Sequence, residues 1–258
     1  LWPVLGALWI AVVGRPDERL FVSFVLGTFV MRSAGCVMND FADRDFDPHV
    51  RRTADRPLAK QSVSTAEALA LFAVLGLVAL ALVIPLNRPT QVLALIGGVL
   101  AVTYPFLKRF FSLPQAYPGA EFGWSVPMAF AAQTGSVPVE AWTLFLAVVL
   151  WTTAYDTMYA MVDREDDLVI GIRSSAILFG RADRLVIAGL QAGALGGLAL
   201  VGLLRDLGRW YWIGLAVAAA LAGYQQVLIR HREPAACFRA FLNNNFCGLV
   251  IFAGLILY

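Results

Sequence analysis

The chain has 258 residues, 59% of them hydrophobic and 15% charged, with a formal net charge of +2. A soluble domain carries closer to a quarter charged residues, and a mean hydropathy of +0.71 excludes an ordinary water-soluble globule. Apolar runs of about 17–25 residues recur, each long enough to cross a bilayer as a helix, and they lack the in–out alternation of a membrane barrel.

The pattern predicts an all-α, polytopic membrane protein, a single transmembrane domain over 1–258. Punctuation by Gly, Pro and charge divides it into about nine spans. They run roughly 1–13, 20–40, 64–86, 90–107, 115–134, 139–162, 182–204, 209–229 and 241–258. The first is short and opens at Leu1 without a Met, so a truncated N-terminus is expected. Pro105, Pro118 and Pro127 sit in or near spans, where buried neighbours can satisfy the freed carbonyls.

Orientation follows from the Lys/Arg bias. The loops after spans two, four, six and eight carry most of these residues: Arg44 to Lys60, Lys108 and Arg109, Arg164 to Arg184, and Arg230 to Arg239. These loops should be cytoplasmic. Nothing in the charge pattern points to nucleic acid. Cys36, Cys237 and Cys247 are scattered without metal-ligand spacing and read as packing residues.

Of the 18 acidic residues, ten lie in two segments, 40–55 and 156–167. In NDFADRDFD, Asn39, Asp43 and Asp47 are spaced i, i+4, i+8 and would stack along one helical face. DRDFD also resembles the start of a calcium loop, but Pro48 stands where Gly is needed and Ala54 where Glu is needed. In YDTMYAMVDREDDLVIG, Asp163 and Asp167 repeat the i, i+4 spacing at the end of span six. Two carboxylate faces on one side of the membrane would repel each other unless a cation sat between them. Oxygen-only ligands point to a hard ion, and Mg²⁺ favours a few carboxylates plus substrate phosphate oxygens.

Arg32 precedes Asn39 by seven residues and Asp156 precedes Asp163 by seven, nearly two turns in each case. Each should lie on its cluster's face, about 10 Å further into the membrane. Charges at that depth face a cavity or each other. One reading makes them an ion pair that holds helices in register; the other has Arg32 receive an anionic group of a small substrate. Lys108 and Arg109 in TYPFLKRF either anchor span four or neutralise a phosphate leaving group. Arg51, Arg52 and Arg56 in the RRTADRPLA loop after the first Asp-rich segment present the same choice.

Together these stretches resemble the UbiA superfamily of intramembrane prenyltransferases. Within it they are most similar to the bacterial branch acting on 4-hydroxybenzoate in ubiquinone biosynthesis. NDFADRDFD and YDTMYAMVDREDD match its two Asp-rich motifs, and RTADRPLA, LKRF, FGWSVPMAFAA, GIRSSAILFG and ACFRAFLNNNFCGLV are also similar. The resemblance implies nine helices around a central cavity that opens to the cytoplasm, in the inner membrane. It implies a Mg²⁺-bound polyprenyl diphosphate on Asn39, Asp43, Asp47, Asp163 and Asp167, with Asp43 and Asp163 catalytic. Lys108 and Arg109 would assist the diphosphate. The 4-hydroxybenzoate would sit deeper, its carboxylate on Arg32, with Asp156 orienting it or taking a proton. Aromatic candidates beside the allylic cation are Phe41, Trp124, Tyr155 and Tyr159. The competing readings are a sister enzyme using a naphthoate, homogentisate or haem-precursor acceptor, and a secondary transporter with buried charges at a midplane cavity.

Overall fold

Away from water a backbone can satisfy its own N–H and C=O groups within one segment only as a helix, and the apolar runs fold accordingly. A computed structural model describes residues 1–45, 47–49, 53–107, 115–170 and 174–257, and these contain no strand. The helices are α1 (Trp2–Val12), α2 (Glu18–Asp43), α3 (Thr65–Val83), α4 (Arg88–Leu107), α5 (Ala116–Gly123) and α6 (Ser125–Thr134). They continue with α7 (Val139–Ala160), α8 (Arg164–Ile170), α9 (Ser175–Phe179), α10 (Asp183–Leu204), α11 (Arg209–Leu228) and α12 (Pro234–Ile256).

The nine predicted spans correspond in order to α1, α2, α3, α4, α5 with α6, α7, α9 with α10, α11 and α12. By length and composition alone, five described segments suffice to cross a membrane: Glu18–Asp43, Thr65–Val83, Ser175–Leu204, Arg209–His231 and Pro234–Ile256. Local features set others apart. The helix α1 has only 11 residues. Pro127 has no N–H to offer the Gly123 carbonyl, and the chain breaks between α5 and α6 at Trp124. The C-terminal half of α7 carries Thr152, Thr153, Asp156 and Thr157.

Helix starts are encoded locally. Asp17 accepts from the N–H groups of Arg19 and Leu20 at 2.9 and 3.1 Å, an N-cap for α2. Ser64 and Glu67 form a reciprocal capping box for α3. Pro234 occupies the first turn of α12, where a missing N–H does no harm.

The main core joins α1, α6, α7, α10, α11 and α12 around Leu8, Ile10, Phe130, Val201 and Tyr211. A second cluster at the ends of α7 and α11 includes Met158, Met161, Ile187 and Ile229. Large apolar side chains also point outward: Leu185 is 77% exposed, Leu203 69% and Leu77 66%. That outer face suits lipid, where Leu gains nothing by being hidden.

Association of α11 with α12 depends instead on small residues. A Cβ added at Gly214 would press on the Val250 carbonyl, and one at Gly254 on the Trp210 carbonyl. Gly254→Leu should therefore separate these helices and destabilise the fold by about 1–3 kcal/mol, the range for overpacking. A lowered thermal midpoint of the detergent-solubilised protein would report it; an unchanged midpoint would contradict the close approach.

The helices α2 and α3 are barely covered by protein: among the described residues of α3 only Ala68 is buried. They wall one side of a cavity of about 2760 Å³ that reaches from Asp163 at one end to Leu86 and Ile84 at the other.

Candidate active site

The first wall of the cavity mouth is the end of α2. Asn39 and Asp43 lie one turn apart on that helix, but Asp47 does not continue the stack as its spacing predicts. The helix stops at Asp43, and Asp47 opens a short 3₁₀ turn over Asp47–His49. Pro48 prevents the α-helix from running on, because it has no N–H to offer the Arg44 carbonyl and its ring crowds that carbonyl. Asn39, Asp43 and Asp47 nevertheless all line the cavity.

The loop after the turn folds back onto this wall. Thr53 Oγ1 donates to the Asp47 carbonyl at 3.2 Å. Arg56 Nη1 reaches Asp40 and Asp47 carboxylates, each at 3.0 Å. Asp55 is turned outward to Lys60 at 2.8 Å, whose ammonium holds its carboxyl below the usual range. Arg44 is also diverted: it donates to the Phe41 carbonyl at 2.8 Å and lies 4.7 Å from the Phe41 ring centroid. Of the five loop cations in the sequence pattern, Arg56 is thus the described one that the fold turns into the mouth. Arg51 and Arg52 lie outside the described residues.

The second wall follows α7. A turn interrupts the helix at 161–163 before α8 begins. Even so, the Asp167 N–H donates to the Asp163 carbonyl at 2.8 Å, which keeps the two carboxylates one helical turn apart. Both line the same cavity as Asn39, Asp43 and Asp47. Among the described residues no three Asp, Glu, His or Cys converge tightly enough to cage a metal by themselves. Lys108 and Arg109 fall outside the described residues.

Arg32 and Asp156 line the cavity deeper in, as their seven-residue spacing predicts. They form no ion pair with each other. The Arg32 guanidinium lies 5.4 Å from the Phe122 ring centroid, a cation–π arrangement, within electrostatic reach of Asp156 and Glu121. Arg32 lines the cavity without a direct pair to Asp156, which weakens the register-pair reading.

Glu121 is a residue the motif reading passed over. It comes from α5, held against α7 where Gly119 lets the backbones meet: a Cβ there would lie 2.9 Å from the Val149 carbonyl. A signal was present, since an ionisable residue inside a span is a site candidate by default. Asp40 was passed over because it lies off the Asn39–Asp43 face; it lines the cavity and is held by Arg56.

Three expected aromatics line the cavity: Trp124, Tyr155 and Tyr159. Tyr159 and Tyr155 pack on Phe241 with ring centroids at 4.8 and 5.9 Å. Phe41 stacks under Arg44 instead and is not part of the lining. Tyr104 stacks on Tyr117 at 5.5 Å across α4 and α5.

A family model described as the UbiA prenyltransferase family matches residues 1–250. The chain belongs to the UbiA prenyltransferase family. It is 61% identical over 258 residues to the 4-hydroxybenzoate octaprenyltransferase of Nitrosococcus oceani, covering 100% of this chain and 90% of that protein. It is 58% identical to the 4-hydroxybenzoate octaprenyltransferase of Alkalilimnicola ehrlichii, covering 100% and 88%. Among solved structures, an apo UbiA homolog from Aeropyrum pernix K1 superposes with a TM-score of 0.87 at 25% identity, covering 99% of this chain and 96% of that one. A UbiA homolog from Archaeoglobus fulgidus bound to GPP and Mg²⁺ shares the fold, with a TM-score of 0.67 at 17% identity and coverage of 100% and 96%. In this UbiA chain both Asp-rich segments line the one cavity that the fold encloses.

Proposed function

We propose that this chain transfers a polyprenyl group from polyprenyl diphosphate to 4-hydroxybenzoate, giving the 3-polyprenyl product used for ubiquinone, in a bacterial inner membrane with the Asp walls on the cytoplasmic side. The observation that supports this reading is that carboxylates from the end of α2 and from the α7–α8 junction line one largely apolar cavity, with Arg32 in the same lining. Relatives 56–61% identical over nearly the whole chain, named for that reaction, support the acceptor.

The donor set fits Mg²⁺: Asn39, Asp43, Asp47, Asp163 and Asp167 offer hard oxygen atoms, with no thiolate or imidazole among them. When bound, the ion supplies Lewis-acid stabilisation of the charge that develops on the leaving diphosphate. Arg56 adds positive charge at the first wall, and Lys108 and Arg109 serve the same end. Arg32 holds the acceptor carboxylate by charge-assisted hydrogen bonds. The hydroxyl makes its ortho ring carbon nucleophilic; a C–C bond forms there as the prenyl C–O bond breaks, and the ring proton passes to Asp156 or Glu121. The apolar walls keep water from the allylic cation, and Tyr155, Tyr159 and Trp124 offer it π faces.

Membranes carrying the protein should convert labelled 4-hydroxybenzoate and a polyprenyl diphosphate into a lipid-soluble product with Mg²⁺ but not with excess EDTA. No product from a folded preparation would overturn the acceptor assignment. Proton-gradient-driven uptake of a solute without prenylation would favour a transporter.

Glu121 lines the cavity within electrostatic reach of Arg32, and in its ionised form it would repel an anionic acceptor. Removing its charge in Glu121→Gln should lower KM for 4-hydroxybenzoate ~5-fold, about 1 kcal/mol for one like charge at this range. A raised or unchanged KM would show that Glu121 does not face the acceptor.

A further inference from the structure

Asp183 lies at the start of α10, apart from the cavity, yet it is fully buried. A buried carboxylate must be paired and hydrogen-bonded, and this one is. It accepts from Arg164 Nη2, from Arg232 Nε at 2.9 Å and Nη2 at 2.8 Å, and from the Arg184 backbone N–H at 2.6 Å. Arg164 also donates to the Ala176 carbonyl at 2.8 Å, and Arg232 to the Arg181 carbonyl at 3.0 Å. The cluster thus ties together the junction of α7 with α8, the turn before α10, and the segment between α11 and α12. Arg164 and Arg232 are 19 and 49 residues from Asp183, so no local spacing announces it.

Arg164 is the first residue of α8 and directly follows Asp163. Consecutive helical residues point about 100° apart, so fixing the Arg164 side chain fixes the rotation of the first turn of α8. With Arg164 drawn to Asp183, Asp163 and Asp167 are left to line the cavity. We propose that Asp183 is a positioning residue: by anchoring Arg164 it sets how Asp163 and Asp167 are presented to the opposite wall. The proposal rests on the metal–diphosphate reading of those carboxylates.

The alternative is a staple that holds the cytoplasmic ends together and does nothing more. Arg232→Gln separates the two, because it removes hydrogen bonds from the same cluster while sparing the Arg164–Asp183 contact. Binding is read directly, by titrating the purified full chain with Mn²⁺ in the presence of inorganic diphosphate and following free Mn²⁺ by electron paramagnetic resonance. Asp183→Asn and Arg164→Gln should each raise the Mn²⁺ dissociation constant ~10-fold or more, the range for groups that orient metal ligands. Arg232→Gln should leave it within ~2-fold, and KM for 4-hydroxybenzoate should stay within ~2-fold in all three. If Asp183→Asn does not fold, Arg164→Gln carries the comparison. Equal lowering of thermal midpoints with unmoved Mn²⁺ binding would overturn the positioning role. A wild-type chain that binds no Mn²⁺ would instead overturn the reading of the Asp walls.

Discussion

Asp43→Asn and Asp163→Asn should each lower kcat/KM for polyprenyl diphosphate by ~10²–10³-fold, the equivalent of about 3–4 kcal/mol of transition-state stabilisation. The expectation follows from placement: Asp43 ends α2, Asp163 follows α7, and both face one cavity. Each amide keeps the shape of the side chain and removes the charge that a cation between the walls requires. Because both walls act on one leaving group, the double variant should lose little more than either single one, as groups that work as a unit do. Steady-state rates with purified variants at saturating Mg²⁺ test this. Activity within tenfold of wild type in either single variant, or losses that multiply in the double, would break the clamp.

Arg32→Ala should act differently. It should raise KM for 4-hydroxybenzoate by ~10–100-fold, the loss of charge-assisted hydrogen bonds worth about 1.5–3 kcal/mol, while KM for the diphosphate stays near wild type. Its guanidinium already rests on the Phe122 ring and forms no ion pair with Asp156, so removing it strands no partner carboxylate in a bridge. Thermal stability should hold for the same reason. A variant that lost stability but kept its acceptor KM would restore the reading of Arg32 as a register-setting charge. Together with Glu121→Gln, which should move the same KM the other way, the pair brackets the electrostatics of the acceptor floor.

The site was legible to the extent that helical periodicity carries it. Asn39 with Asp43, Asp163 with Asp167, and the deeper Arg32 and Asp156 follow from repeats of four and seven residues, which a helix converts into a common face. Asp47 departs because Pro48 ends the helix first, and it reaches the cavity from a 3₁₀ turn instead. Glu121 and Asp40 were not legible as motif members. Glu121 enters because α5 packs against α7 at Gly119, and Asp40 because Arg56 crosses back to it at 3.0 Å. Neither contact has a short sequence period.

Hydropathy alone determined that the chain crosses a membrane repeatedly as helices, because a backbone in lipid has no other way to satisfy its polar groups over about 20 residues. The two Asp-rich segments and their chemistry were also present in the sequence, since ligand type and i, i+4 spacing are local properties. Which segments line one cavity, which loop arginine turns inward, and which buried aspartate anchors Arg164 were decided only by tertiary structure. Those relations join residues far apart in the chain, and they follow from how α2, α5, α7 and α10 pack around one cavity and from close backbone approaches that no local pattern encodes.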